Sequence, residues 1–309
     1  MPLSEKQGVG SSILPLATNV IKFNNRVFKT VFKTIVINMQ NIKNIFFELN
    51  KITSKLSVRN YCKFWNLVFI LSLKSLRFTE IENQNILVTD NESEIFISQK
   101  LRGYFYFKSI RNRFESLGNM YFFGMINFEK DDIIIDCGAN IGEIYNSVRL
   151  FSKNEFNYYG FEPVKSEYDL MKLNTVNNIE RPLALFNKSE NLKLYIHKEG
   201  ADSTLIEDPR YSEFDNVECI RLEDIKTLEN KKIKLLKLEA EGAELEVLLG
   251  CGDLLKNINF ISADLGFELD QGTKSNEREV TDYLLKNKFI KLASNSRHIN
   301  LFKNKRFKK

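Results

Sequence analysis

The stretch Asp131-Asp132-Ile133-Ile134-Ile135-Asp136-Cys137-Gly138-Ala139-Asn140-Ile141-Gly142-Glu143 constrains the fold more than any other part of the chain. Three consecutive isoleucines between acidic residues predict a short strand buried on both faces, the kind a parallel sheet uses. Asp136 closes that strand. Gly138, Asn140 and Gly142 then supply a loop that tolerates positive φ and close ligand approach. From Glu143 to Phe151 the chain has Ile144, Val148 and Leu150 to pack against a sheet, so a helix begins there. Strand, glycine loop and helix start together predict a nucleotide-type ligand site with loop amides facing the ligand.

The dinucleotide fingerprint G-x-G-x-x-G is absent from this loop, and so is the phosphate-cradling G-x-x-x-x-G-K-[ST]. Instead an acid stands two residues before the first glycine. A carboxylate there repels a pyrophosphate but suits a cationic ligand, such as the amino group or sulfonium of S-adenosylmethionine. The next strand, Asn157-Tyr158-Tyr159-Gly160-Phe161, ends at Glu162, about 20 residues beyond Gly142, where an acid takes two ribose hydroxyls in this architecture. The plainer alternative is a strand-turn-helix with incidental acids at its mouth. Paired acids at 136 and 162 weigh against it.

Asp136-Cys137-Gly138-Ala139-Asn140-Ile141-Gly142-Glu143 and Phe161-Glu162-Pro163 resemble the first two motifs of the FkbM family of S-adenosylmethionine-dependent methyltransferases. Leu236-Lys237-Leu238-Glu239-Ala240-Glu241-Gly242-Ala243-Glu244-Leu245-Glu246-Val247-Leu248 resembles that family's third signature. The similarity runs from about Ile81 to Phe302 in the family's order and spacing, and three matched motifs are far more specific than one. Glu239 stands where the family usually has aspartate and Asp264 where it often has glutamate; each keeps the charge and changes the reach. The resemblance implies O-methylation of a hydroxyl, most often on a sugar or secondary metabolite.

At 309 residues, 43% hydrophobic and 28% charged, the chain suits one substantial domain plus an appendage and not general disorder. Its net charge of +5 is uneven: residues 1–78 hold twelve Lys or Arg and two Glu, a local +10, which leaves −5 for the remainder. That split predicts either peripheral contact with an acidic partner, a membrane surface or polymer, or a solvated basic face. Cys62, Cys137, Cys219 and Cys251 are scattered without a CxxC pair, so no zinc or disulfide framework is expected and a reducing cytoplasm is. His197 and His298 are the only histidines, and no G-x-S-x-G elbow occurs, which excludes histidine-rich metal sites and gives a hydrolase triad little support. The first twenty residues lack a secretory pattern, and Trp65–Leu73, bracketed by Lys63 and Lys74, is too short to span a bilayer.

Organisation follows the apolar period. Phe28, Phe32, Ile35, Met39, Ile42, Phe46 and Leu49 form a helical stripe that docks on the catalytic domain, pairs with another helix or rests on a membrane. A second helix over Val58–Leu76 is too uniformly apolar for a surface element. Strands at Ile86–Val88 and Glu94–Ile97, with the aromatic Tyr104–Phe107 segment, predict a β-rich lead-in. The boundaries are therefore a basic helical appendage at 1–78, the lead-in at 79–128 and the ligand-binding domain at 129–309. Within the last, strands at Ile133–Asp136, Tyr158–Phe161, Leu183–Phe186, Ile233–Leu238 and Phe260–Leu265 alternate with helices near Ser166–Asn178, Leu222–Leu228 and Glu241–Leu248. Leu192–Ile196 and Val217–Arg221 read as a β insertion. A helix near Glu277–Asn287 and a hairpin of Phe289–Leu292 with His298–Phe302 close the chain. The fold class is α/β: a mainly parallel, Rossmann-like class I methyltransferase sheet with an antiparallel C-terminal hairpin and the N-terminal helical appendage. The basic tail Lys303–Lys309 reads as a solvated terminus, with nucleic acid or anionic lipid as the alternative.

Chemistry in open α/β sheets sits beyond the carboxyl ends of the strands. Asp136, Gly138, Asn140 and Gly142 are assigned to the methionine side of the cofactor and Glu162 to its ribose. Asn187, after the third strand, is assigned to the adenine or to an ordinary turn. Lys237 on an otherwise buried strand needs a partner, because an unpaired buried cation is costly. Glu239 or Glu241 is expected to pair with it and to orient or deprotonate an acceptor hydroxyl. Glu244 reads as a helix N-terminal charge. His197, beside Gly200-Ala201-Asp202-Ser203-Thr204, is the other candidate base or a surface histidine. Glu239 and Asp264 end adjacent strands and could hold Mg²⁺, but two acids at a polar sheet edge is the preferred reading, so no metal is assigned. The expected partner is a small-molecule or glycan acceptor, with nucleic acid disfavoured because no N-P-P-Y-type signature follows the fourth strand. A homodimer through the long helix stays open, as does a non-catalytic module with the same fold.

Overall fold

The computed structural model describes residues 42–196, 203–207, 213–267 and 274–307. The chain divides into two compact units at Ile110 and Arg111.

The first unit begins with two helices, α1 (Ile42–Thr53) and α2 (Val58–Leu71). Ser57 caps α2 by accepting the Asn60 N–H at 3.4 Å. Val58, Tyr61, Cys62, Trp65 and Phe69 are buried, a three-and-four spacing that puts one face of α2 inward. Trp65 Nε1 donates to Thr53 Oγ1 at 3.0 Å and the Tyr61 hydroxyl donates to Asn50 Oδ1 at 2.7 Å, tying α2 to α1. Strands β1 (Arg77–Glu80), β2 (Ile86–Thr89) and β3 (Glu94–Ile97) follow as an antiparallel meander. The Asn66 amide receives the Phe78 N–H at 2.7 Å and donates to Phe78 O at 2.8 Å, so a side chain acts as the strand partner that joins helix to sheet. Trp65, Phe69, Phe78 and Phe107 fill the space between, with the Trp65 and Phe107 ring centroids 4.1 Å apart.

Two expectations change here. The Val58–Leu76 helix stops at Leu71 and is not buried all round: Ile70 is 44% and Leu71 72% exposed, because only one face has a partner. Tyr104–Phe107 belongs mostly to a 3₁₀ turn, Lys100–Tyr106. Of the stripe from Phe28 to Leu49, residues 28–41 lie outside the described residues; Leu49 is buried and Phe47 exposed. Among the described residues no helix is long and apolar enough to cross a membrane.

The second unit opens with a helix that the apolar pattern did not single out, α3 (Ile110–Met120). The remaining elements are β4 (Asp132–Cys137), α4 (Glu143–Phe151), β5 (Phe156–Phe161), α5 (Lys165–Asn174), β6 (Ala184–Leu185), β7 (Asn191–Ile196), β8 (Glu213–Ile220), β9 (Ile233–Leu238), α6 (Glu244–Gly250), β10 (Ile258–Asp264), α7 (Glu277–Lys286), β11 (Phe289–Ser294) and β12 (Ile299–Asn304). The central sheet has the order β11-β12-β10-β9-β4-β5. Strands β10, β9, β4 and β5 run parallel, while β12 is antiparallel to both β10 and β11.

The parallel strands are in register in a way that explains their near-continuous apolar sequences. Tyr158, Ile134, Leu235 and Phe260 form one row across the sheet and point into one core. The next row, Tyr159, Ile135, Leu236 and Ile261, points into the core on the other face. Both faces are covered, so Ile133-Ile134-Ile135 has no polar alternation to show. On one face α3 is fastened to α4: Ser147 donates to Phe114 O at 2.7 Å, and Arg113 grips Glu143 through two hydrogen bonds of 2.7 and 2.8 Å. A Cβ on Gly118 would sit 2.1 Å from the Phe151 ring, which is why this position lacks a side chain.

Several element boundaries are corrected. The Leu183–Phe186 strand shortens to β6 and pairs with β8 in a separate three-stranded sheet, β6-β8-β7. The helix expected at Leu222–Leu228 is two 3₁₀ turns. The Ser166–Asn178 helix ends at Asn174, where Thr175 turns extended and the Asn177 side chain instead receives Gly160 N–H and donates to Gly160 O. The Glu241–Leu248 helix starts at Glu244, because Glu241 and Gly242 take left-handed φ of 48° and 97°.

Candidate functional site

The carboxyl ends of β4, β5, β9 and β10 bring Asp136, Glu162, Glu239 and Asp264 to one edge of the sheet. Asp136 and Lys237 are direct partners in the β4–β9 register, 101 residues apart in sequence but adjacent in space. Lys237 Nζ lies 3.2 Å from Asp136 Oδ1 and 2.8 Å from Glu239 Oε2, and it donates to Cys137 O and Gly138 O at 3.1 and 2.9 Å. The Tyr121 hydroxyl donates to the same Glu239 oxygen at 2.8 Å, and Lys237 Nζ stands 5.5 Å over the Tyr121 ring. Tyr158 donates to Asp136 Oδ2 at 2.6 Å. Asp136 Oδ1 has no aligned hydrogen bond and faces Lys237 as an ion pair only.

Burial sets the protonation of this group. Asp136 is 0% and Lys237 1% exposed, whereas the Glu239 side chain is 39% exposed. Burial works against the Lys237 ammonium, but Asp136 and Glu239 outweigh it and hold its pKa above the ordinary lysine value. Burial pushes the Asp136 carboxyl up, against the pull of Lys237 and Tyr158. Burial, with Glu239 beside one and Asp136 beside the other, pushes the phenols of Tyr121 and Tyr158 well up, so both stay donors. Lys237 is therefore a permanent cation that positions Glu239; of the two, only the carboxylate is able to accept a proton.

The glycine loop departs from the expectation that its amides face a ligand. Gly138 and Ala139 N–H both donate to Phe161 O, at 3.1 and 3.0 Å. Asn140 N–H donates to Glu162 Oε2 at 2.8 Å, Ile141 N–H to Asn140 Oδ1 at 2.9 Å and Gly142 N–H to Ala139 O at 2.8 Å. All five backbone donors are used inside the protein. The glycines answer to the protein too: a Cβ on Gly138, φ 71°, would lie 2.2 Å from Glu239 O, and one on Gly142, φ 84°, would lie 2.4 Å from the Thr175 methyl.

Glu162 is 5% exposed and splits its oxygens between two backbone donors, Asn140 N–H and Val164 N–H, each at 2.8 Å. Burial pushes its carboxyl up to about 7 against those two bonds. Glu244, read from the sequence as a helix-end charge, is the same device at the second loop. It is 1% exposed, receives Ala240 N–H at 2.8 Å, Gly242 N–H at 3.3 Å and Asn276 Nδ2 at 2.5 Å, and burial pushes it up to about 7. Glu241 has its carbonyl bound by Thr204 Oγ1 at 2.7 Å. Asn187 follows β6, and its Oδ1 is buried without a hydrogen-bond partner. Asp264 Oδ1 receives Gly266 N–H at 3.2 Å. His197 lies outside the described residues.

Sequence reasoning missed Tyr121, Tyr158 and Asn276, and it read Glu244 as the helix-end charge that it is, without its clamp on the second loop. Only Glu244 carried a signal, since two acids flanking a glycine turn can hold its amides. Among the described residues no group of three or more His, Cys, Asp and Glu side chains is arranged to hold a metal ion. The four cysteines are buried thiols, which suits packing and not nucleophilic attack.

No curated protein matches the sequence. The family model described as the methyltransferase FkbM domain matches residues 136–291, from the Asp136 that closes β4 into β11 and through both glutamate-held loops. The match covers about half of the chain, and this chain belongs to the FkbM methyltransferases.

Proposed function

We propose that the chain is an S-adenosylmethionine-dependent methyltransferase of the class I fold that methylates a hydroxyl on a sugar, polysaccharide or secondary metabolite. One observation carries the reading: the loop after β4 spends every backbone N–H inside the protein while carboxylates gather around it. Such an edge has no amide cradle for a phosphate and favours ligands bearing hydroxyl donors and positive charge. The fit extends to one orphaned atom, since Asn187 Oδ1 is an unused buried acceptor suited to an adenine amino group.

When bound, the cofactor supplies an activated methyl on a sulfonium. Glu162 takes the ribose hydroxyls with the lone pairs that Asn140 and Val164 leave open. Asp136, fully buried, acts on the ligand through the loop and Lys237 and not by touching it. Glu239, held at one oxygen by Lys237 and Tyr121, orients the acceptor hydroxyl and receives its proton. The acceptor class is what the family resemblance implies, and a carboxylate able to take a hydroxyl proton supports the O-direction.

Calorimetric titration with S-adenosylmethionine and S-adenosylhomocysteine tests the cofactor. Glu162→Gln and Asn187→Ala should each weaken binding by about tenfold or more. Glu239→Gln should leave that binding in place and abolish transfer to a hydroxyl acceptor. A folded protein that takes up neither ligand would sink the proposal.

A further inference from the structure

The end of α2 costs the protein stability for no gain in packing. Lys74 N–H reaches Phe69 O at 2.9 Å and Leu73 N–H reaches Ile70 O at 3.1 Å, the pattern of a helix closed by a left-handed residue. That residue is Leu73, φ 55°, where glycine or asparagine is usual. Leu73 is 96% exposed, beside Leu71 at 72% and Ile70 at 44%. A strained leucine thus holds an apolar knuckle in water.

From Leu49 to Thr79 the chain has six cations, Lys51, Lys55, Arg59, Lys63, Lys74 and Arg77, and no Asp or Glu. The exposed charge on this pair of helices is mostly cationic: Lys51, Lys55 and Lys63 are exposed, while Arg59 pairs with Glu80 at 3.5 Å, Lys74 Nζ donates to Phe107 O and Arg77 donates to the carbonyls of Lys74 and Leu76. Lys63 lies two turns before Ile70 on the same side of α2, so cation and apolar tip share a face.

We propose that Ile70, Leu71 and Leu73 at the end of α2 dock the protein on an anionic lipid membrane, the leucines entering the boundary between headgroups and acyl chains while the exposed lysines Lys51, Lys55 and Lys63 meet lipid phosphates. At 14 residues α2 is too short to span a bilayer, so it docks without crossing. A second copy of the chain is a poorer occupant, because it would bring two surfaces of net positive charge together. Nucleic acid would match the charge but not three aliphatic side chains, since it offers backbone phosphates and stacking faces. The assignment is independent of the methyltransferase reading.

The test is co-sedimentation of the full chain with vesicles of phosphatidylcholine alone and of equimolar phosphatidylcholine and phosphatidylglycerol. The protein should sediment with the anionic vesicles, and 1 M salt should release most of it, the screening length there being about 3 Å. Leu71→Gln with Leu73→Gln should lower partitioning by about tenfold or more. Leu73→Gly should also weaken it while keeping or raising the thermal midpoint, since glycine relieves the left-handed strain and separates docking from folding. Absence of binding, equal binding to both vesicles, or full binding by the double variant would overturn the proposal. So would a change of oligomeric state in the double variant with vesicle binding intact.

Discussion

Residues 138–142 after β4 and residues 239–243 after β9 both turn a parallel strand into a helix through left-handed backbone. Gly138, Asn140 and Gly142 supply it in the first loop; Glu241 and Gly242 supply it in the second. Each loop is gripped by one buried glutamate with its carboxyl near 7. The anchors differ in reach. Glu162 holds the first loop from the end of β5, so loop and neighbouring strand form one rigid mouth. Glu244 holds the second from the helix that the loop itself begins, helped by Asn276. The first anchor couples its loop to the neighbouring strand of the sheet; the second is local fastening. Lys237 links the two, bonding the carbonyls of the first loop and the Glu239 carboxylate of the second.

Removing that link should have the largest effect. Lys237→Met leaves Asp136 buried without its cation and should destabilise the second unit by about 3–5 kcal/mol, because uncompensated buried charge is what such a change creates. Urea unfolding followed by circular dichroism checks it; Trp65, the only tryptophan, sits in the first unit and reports elsewhere. A cost below about 1 kcal/mol would mean that the two loops are held independently of Lys237.

Gly138→Ala comes next. The new Cβ meets the carbonyl oxygen of Glu239 at 2.2 Å and forces a side chain into φ 71°. Overpacking and handedness together predict a loss of about 2–4 kcal/mol. A structure of the variant should show the two loops pushed apart, and thermal denaturation should show the loss. Near-normal stability would break the contact on which the comparison rests.

The two anchors themselves separate by pH and by ligand. Each carboxyl rises from 4.5 unfolded to about 7 folded, so the folded state binds the proton more tightly. That contribution is fully present below pH 4.5 and is lost as pH rises through about 7. Glu162→Gln and Glu244→Gln should each flatten the decline of stability across this window, by on the order of 2–3 kcal/mol. Affinity for S-adenosylmethionine should distinguish them: Glu162→Gln loses it, while Glu244→Gln stays within about twofold. Equal losses would erase the distinction between a ligand-coupled anchor and a local one.

What the sequence shows of this edge depends on how far apart the partners lie along the chain. Ile133–Ile135, Asp136, the glycine loop and Glu162 form a pattern of hydrophobic run, turn and acid that is readable in order, because strand, turn and helix start are local. The Asp136–Lys237 pair is not readable, since it depends on the register of β4 against β9. Tyr121 has no motif around it and gains its role from where α3 docks. β6 looked like a member of the main sheet because a short apolar run says nothing of its neighbour. Left-handed Glu241 was hidden for the opposite reason: Glu favours helices, so propensity pointed to a helix where the backbone turns away.

That residue gives the smallest effect and the finest distinction between the loops. Asn140 tolerates left-handed backbone, but Glu241 at φ 48° does not, so the second loop stores strain that the first avoids. Glu241→Gly should relieve about 1–2 kcal/mol of that strain and return about half as added unfolded-chain entropy, a net gain near 0.5–1 kcal/mol. A thermal midpoint raised by a few degrees with methyl transfer unchanged would mark the strain as incidental to the turn. A raised midpoint with transfer lost would mean that the Glu241 carboxylate works at the acceptor, strain retained for function. A lowered midpoint would show that the Glu241 side chain contributes more to the second loop than its backbone costs, and the two loops would then be held alike.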